Sequence, residues 1–169
     1  LALVWQPQVH IDGWRVVGAE ALLRWQHPQL GAVSPAEFIP IAEESGQIIA
    51  IGAWVLEQAC AGAAELPASI AVSVNASPAQ LLREDFVATV GLALARAGLP
   101  ARRLKVEITE SLLMDAVPVA LANLHGLREL GVRIMQMTYN TQNLAGCGCY
   151  EKNDGGLSDF GREAVAEMN

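Results

Sequence analysis

Leu104-Lys105-Val106-Glu107-Ile108 is the stretch on which the fold turns. Leu104, Val106 and Ile108 alternate with polar neighbours, as a strand with one apolar face requires, and Glu107 shares the opposite face with Thr109. Upstream lies another short strand, Ile70 to Asn75. Between the two, Phe86, Val90 and Leu94 recur every four residues until Gly98-Leu99-Pro100 ends the helix. Downstream, Leu121, Leu124, Leu127 and Leu130 follow at helical spacing, before Gly131 and a strand from Val132 to Met137. Strand and helix in repeated alternation predict a largely parallel sheet covered by helices.

The N-terminal third continues this pattern. Val16 to Trp25 reads as a strand entered from a turn at Asp12-Gly13. Pro35 to Glu44 reads as a helix capped by Ser34, with Glu37 placed for a capping box and Gly46 as its stop. From about Ile48 to Leu66, Ile48, Ile51, Val55 and Ala59 form one helical stripe, closed by Pro67. An open doubly wound sheet and a barrel both fit this order. No glycine-rich phosphate or dinucleotide loop follows the early strands, which weakens the first. In a barrel, functional groups gather at the C-terminal strand ends, where Asn75 and Glu107 stand, while Glu20 lies within its own strand. From about Asn140 the alternation gives way to loop-like sequence, and the chain is short for a complete eight-stranded barrel.

A chain of 169 residues is expected to be one domain with a substantial core. Its net charge of -7 argues against DNA or RNA backbone as a partner. A small phosphodiester stays open, because a bound metal reverses the local sign. No membrane span or secretory leader is visible, which predicts a cytoplasmic setting, and the start at Leu1 without Met suggests a piece of a longer polypeptide. Cys60 falls in a helical pattern and is expected in the core, whereas Cys147 and Cys149 lack the second pair that a zinc site needs.

Glu20 is the most exceptional polar residue, set in Val16-Val17-Gly18-Ala19-Glu20-Ala21-Leu22-Leu23. A carboxylate in apolar surroundings needs a cation, a strong donor or a proton. Arg24, four residues on, is a candidate salt-bridge partner, although four residues along a strand span roughly 13 Å. Asn75 taken alone reads equally well as a loop cap. Oxygen ligands from three separate strands, Glu20, Asn75 and Glu107, would suit magnesium or manganese and not zinc.

With these motifs in place the chain resembles the EAL domain family of bacterial cyclic di-GMP phosphodiesterases. The resemblance is carried by Glu20-Ala21-Leu22 within Gly18-Ala19-Glu20-Ala21-Leu22-Leu23-Arg24-Trp25, by Trp5-Gln6-Pro7, and by Ser34-Pro35 through Phe38-Ile39-Pro40 to Glu43. Val74-Asn75 with Ser77 and Gln80, Glu107-Ile108-Thr109-Glu110-Ser111 and Leu130-Gly131-Val132 extend it. It covers residues 1 to about 136 of a single 1–169 domain, leaving 137–169 as a divergent, shortened part.

The resemblance implies an α/β fold of the variant TIM (β/α)8 barrel type, incomplete at this length, with one outer strand antiparallel to the rest. It implies hydrolysis of cyclic di-GMP to linear pGpG with two divalent cations, Mg2+ or Mn2+. On that basis Glu20, Asn75 and Glu107 look like metal ligands, with Glu20 and Glu107 catalytic through the metal. Gln6, Leu23, Arg24 and Pro40 look like substrate contacts. Ala164-Val165-Ala166-Glu167 resembles the family's late glutamate motif, which would make Glu167 a further catalytic residue. A sensory or GGDEF-type partner domain, or a homo-oligomer, is the expected company.

The departure from the family lies at Met137-Thr138, where the family carries two metal-site aspartates. A thioether and a hydroxyl do not hold hard cations as carboxylates do. Two readings follow: a phosphodiesterase domain by descent, and a non-catalytic cyclic di-GMP-binding or protein-interaction domain in signalling.

Overall fold

The computed structural model of the chain describes residues 1–108, 118–134 and 162. Among the described residues six strands, β1 (Ala2–His10), β2 (Arg15–His27), β3 (Gly31–Val33), β4 (Ala71–Ala76), β5 (Leu104–Ile108) and β6 (Arg133–Ile134), form one sheet in the order β1-β2-β4-β5-β6, with β3 paired to β2, and the sheet does not close. The fold is therefore α/β, part of a (β/α)-type barrel.

Strands β1 (Ala2–His10) and β2 (Arg15–His27) form an antiparallel hairpin registered from Ala2 on Arg24 to His10 on Arg15, with an irregularity at Gln8/Val9. Its tip turns through Gly13 (φ 86°) and Trp14 (φ 52°), a pair of left-handed residues that matches strand twist. The expected strand Val16 to Trp25 is thus real and extended at both ends. β1 and β3 (Gly31–Val33) were not foreseen. Nine residues of β1 are mostly exposed and lack a clean apolar alternation.

β3 pairs antiparallel with β2, and the path β2-β4-β5-β6 is parallel throughout. α1 (Pro35–Glu44) begins as expected, with the Glu37 carboxylate accepting the Ser34 N–H at 3.3 Å, and Gly46 (φ 72°) follows its end. α2 (Ile48–Ala64) buries Ile48, Val55 and Ala59 as the stripe predicted, with Ile51 against the same core. β4 (Ala71–Ala76) leads through α3 (Pro78–Leu81) into α4 (Phe86–Ala97), where Phe86, Val90 and Leu94 are all buried. Gly98 (φ 61°) closes α4, and the Leu99 N–H returns to the Leu94 carbonyl at 3.0 Å. A 3-10 turn (Ala101–Arg103) enters β5 (Leu104–Ile108); α5 (Pro118–Leu130) and β6 (Arg133–Ile134) follow.

The core lies between sheet and helices. Ala21, Val72, Val74, Leu104, Val106 and Ile108 point into it, met by Leu56, Cys60, Val90, Leu94 and Leu127. Cys60 is fully buried, as its position in the helix implied, and burial pushes its thiol up to about 11. α5 corrects the expected leucine stripe: Leu127 is buried, but Leu121 and Leu130 are exposed, and Ala120 and Asn123 take the inner positions. A strict three-residue repeat drifts by about 60° per step on a 3.6-residue helix, so its ends lie roughly opposite each other. Among the described residues no helix is long and apolar enough to cross a membrane. Cys147, Cys149, Glu167, Met137 and Thr138 lie outside the described residues.

Candidate active site

Register decides which side chains share the face turned away from the helices. Gln6 pairs with Glu20 across the hairpin, Glu20 with Ser73, Ser73 with Lys105, and Asn75 with Glu107. Paired residues in adjacent strands project to one side, and the apolar residues between them occupy the core side. The alternation that folds the sheet therefore also gathers Gln6, Glu20, Ser73, Asn75, Lys105 and Glu107 into one polar patch.

Within it, Asn75 Nδ2 donates to Glu20 Oε1 at 2.7 Å. This leaves Asn75 Oδ1 as an acceptor beside two carboxylates. The Glu107 carboxyl sits above the ordinary carboxylate range, first because burial disfavours its charge. A hydrogen bond from Ser73 works the other way, the Glu20 charge raises it further, and Lys105 lowers it. Among the described residues Arg83 pairs with Asp85 and Arg96 with Glu57, and neither pair involves Glu20 or Glu107. The salt bridge considered between Glu20 and Arg24 is not formed: Arg24 is exposed and donates to the Leu23 carbonyl at 2.9 Å.

The remaining sequence candidates divide between the two sides of the sheet and α1. Gln6 faces Glu20 across the hairpin, and Arg24 shares the Glu20 side of β2 by alternation. Leu23 packs against the core, on the side of the sheet away from Glu20. Pro40 is exposed within α1. Gln8, Ser73 and Lys105 were missed, although strand parity offers a signal: Ser73 and Lys105 each precede a candidate ligand by two residues.

Could these residues hold a metal? No group of three or more His, Cys, Asp or Glu side chains with metal-site spacing occurs among the described residues. The available donors are the Glu20 and Glu107 carboxylates and the Asn75 amide oxygen. All are hard oxygen ligands, and the mutual repulsion of the carboxylates is what a divalent cation would relieve. They fit one such ion; a second would need ligands from elsewhere.

The turn beyond Asn75 is held by α2. Ser77 N–H donates to Gln80 Oε1 at 3.1 Å, and the Gln80 N–H donates to Ser77 Oγ at 3.3 Å, a reciprocal cap that fixes the exit from β4. Gln80 lies flat on Gly52, where a Cβ would come within 2.0 Å of its Nε2. Gly52→Ala is expected to cost about 2 kcal/mol by overpacking. A thermal melt should then show a fall of roughly 4–8 °C; an unchanged midpoint would mean that Gln80 can leave this position freely.

The chain has relatives among known proteins. The EAL domain family profile matches residues 1–142. An uncharacterized signaling protein of Caulobacter vibrioides is 43% identical over 141 residues, covering 83% of this chain and 17% of that protein. The bifunctional diguanylate cyclase/cyclic di-GMP phosphodiesterase MucR of Pseudomonas aeruginosa is 38% identical over 142 residues, 79% of this chain and 20% of MucR. A solved structure of the MucR phosphodiesterase in complex with c-di-GMP superposes with a TM-score of 0.74 at 38% identity, covering 79% of this chain and 56% of that one. The chain thus spans about a fifth or less of the curated proteins it matches first.

Proposed function

The chain belongs to the EAL domain family, and from that premise we propose that its polar sheet face binds cyclic di-GMP together with one divalent cation, Mg2+ or Mn2+. The observation that carries this reading is the Glu20–Asn75–Glu107 group, in which two carboxylates flank an amide. Bare, that group would repel a cyclic dinucleotide carrying two phosphodiester charges. With one divalent cation on Glu20, Asn75 and Glu107, the two carboxylate charges are neutralised, the repulsion is gone, and the ion itself offers an attraction to a phosphoryl oxygen.

A bound cation would polarise a phosphoryl oxygen. Arg24, exposed on the same side of β2 as Glu20, would grip a non-bridging oxygen by charge-assisted hydrogen bonds, and Gln6 would contact the ligand at the hairpin edge. Hydrolysis to pGpG is the ancestral chemistry of this site. In this chain it is strongly weakened, because Met137 and Thr138 stand where carboxylates would complete a second cation site. Glu167, in a motif that resembles the family's late glutamate, would be a further catalytic carboxylate.

Calorimetric titration of cyclic di-GMP in Mn2+ should show binding that vanishes in chelator, and Arg24→Ala should weaken it about tenfold, the equivalent of one charged hydrogen bond. Chromatography of the same mixtures tests turnover. Sustained pGpG formation, absent in a Glu20→Ala control, would favour a complete catalytic site over the binding role. No binding with or without metal would sink the proposal.

A further inference from the structure

We propose that Gln8 and Ser73 form a hydrogen-bonded relay that orients the Glu107 carboxylate, and that Gly18 keeps open the lane through which Gln8 reaches Ser73. The inference rests on the cation-binding reading of Glu20, Asn75 and Glu107.

The sheet order makes the contact unusual. Gln8 belongs to β1 and Ser73 to β4, with β2 between them. Gln8 nevertheless donates from Nε2 to Ser73 Oγ at 3.4 Å. Two strand spacings amount to roughly 10 Å, so a side chain must pass over the intervening strand. It passes over Gly18, which pairs with Gln8 on one side and Ala71 on the other. A Cβ at position 18 would stand 2.5 Å from Gln8 Oε1 and 3.1 Å from the Ala71 carbonyl oxygen. Any residue larger than glycine closes the lane.

Ser73 is 0% exposed, yet it sits on the polar face of the sheet. As a mere filler it would be a poor choice, because burying a hydroxyl costs free energy that a methyl group does not. Its use follows from its valence. A hydroxyl accepts through its lone pairs and donates one hydrogen. The Gln8 amide occupies a lone pair, which leaves the hydrogen for an acceptor on the same sheet face, where Glu107 is the diagonal neighbour, two residues beyond the Lys105 that pairs with Ser73, and where the Ser73 hydroxyl holds its carboxyl down. Gln8 thereby fixes the hydroxyl, and the hydroxyl fixes the carboxylate. Partners of this kind, one shell beyond the metal, typically change metal affinity 10–100-fold when removed.

The test has two arms. In the first, Mn2+ binding to the full chain is followed by loss of the free-ion EPR signal. Ser73→Ala and Gln8→Met should each weaken binding about tenfold with little change in thermal midpoint. Ser73→Thr, which keeps the hydroxyl, should bind like the parent. Gly18→Ala should weaken binding too, and combined with Gln8→Met it should add nothing, since both break the same link. Parent-like affinity in Ser73→Ala, with binding lost in Glu107→Gln, overturns the relay and leaves the cation site standing. No Mn2+ binding by the parent overturns both. In the second arm, NMR of the metal-free protein should show an NOE between the Gln8 side-chain amide and the Ser73 β-protons, lost in Gly18→Ala. Its absence from the parent overturns the relay whatever the metal does.

Discussion

Arg103→Met should lower the thermal midpoint of the metal-free chain by roughly 6–12 °C, equivalent to about 3 kcal/mol for a domain of this size. The guanidinium is buried at the turn that enters β5. Its Nε donates to the Ile70 carbonyl at 3.0 Å, and Nη2 reaches the carbonyls of Ala63, Pro67 and Leu66 at 2.7, 3.1 and 3.2 Å. Ala63 lies in the last turn of α2, at the negative end of the helix dipole, and its carbonyl also takes the Leu66 N–H at 3.1 Å. Ile70 is the residue just before β4. One side chain therefore ties the end of a helix to the entrances of two neighbouring parallel strands.

Methionine preserves much of the apolar stem but withdraws the charged donor from four carbonyls in a dry setting, of which those of Ala63 and Pro67 keep the Leu66 and Ile70 N–H groups, and the lost charge-assisted bonds make the effect large. Because β4 and β5 carry Ser73, Asn75, Lys105 and Glu107, loosening their entrances also loosens the site. Arg103→Lys should recover only part of the stability, since an ammonium lacks the fork that spans both sides of the cluster. A midpoint within a degree or two of the parent would mean that water replaces the guanidinium at no cost.

How much of this was legible beforehand depends on whether a residue's role is local. The alternation of Leu104, Val106 and Ile108 named β5 and its buried face, and Ala71-Val72-Ser73-Val74-Asn75 did the same for β4. Asn75 and Glu107 then had to emerge on the opposite side, and they do. β1 was not legible because its order comes from pairing with β2, not from its own pattern. Arg103 was equally hidden: Arg102 and Arg103 are adjacent in sequence, and only the tertiary position of the α2 end decides which is buried. Gln8 and Ser73 were missed for a related reason. Their link passes over β2 to join β1 with β4, and a serine between valines carries no mark of its partner 65 residues away. Glu20 was the reverse case. Its apolar setting announced that something must compensate it, but the sequence suggested Arg24 while the structure supplies Asn75.

Glu107→Gln should move stability and metal affinity in opposite directions, the mark of a group kept for binding at the expense of folding. In the metal-free protein the Glu107 charge is disfavoured by burial and by Glu20, so its pKa is higher folded than unfolded. The sign follows from proton counting. Between the unfolded pKa and the raised folded one, the folded state binds more protons, so stability falls as pH rises through that window. Above it the full cost is present; below the unfolded pKa it is gone. Glutamine carries no charge, so the variant should melt higher than the parent at neutral pH and lose this part of the acid-side slope. Mn2+ affinity should fall about 100-fold, at the upper end of what outer-shell partners cost, because here a ligand oxygen with its charge is removed. Melting curves across the acid range, with and without Mn2+, read both effects in one series. A variant less stable than the parent in the absence of metal would show that the Ser73 hydrogen bond outweighs the Glu20 repulsion. A variant that binds Mn2+ as the parent does would remove Glu107 from the cation site.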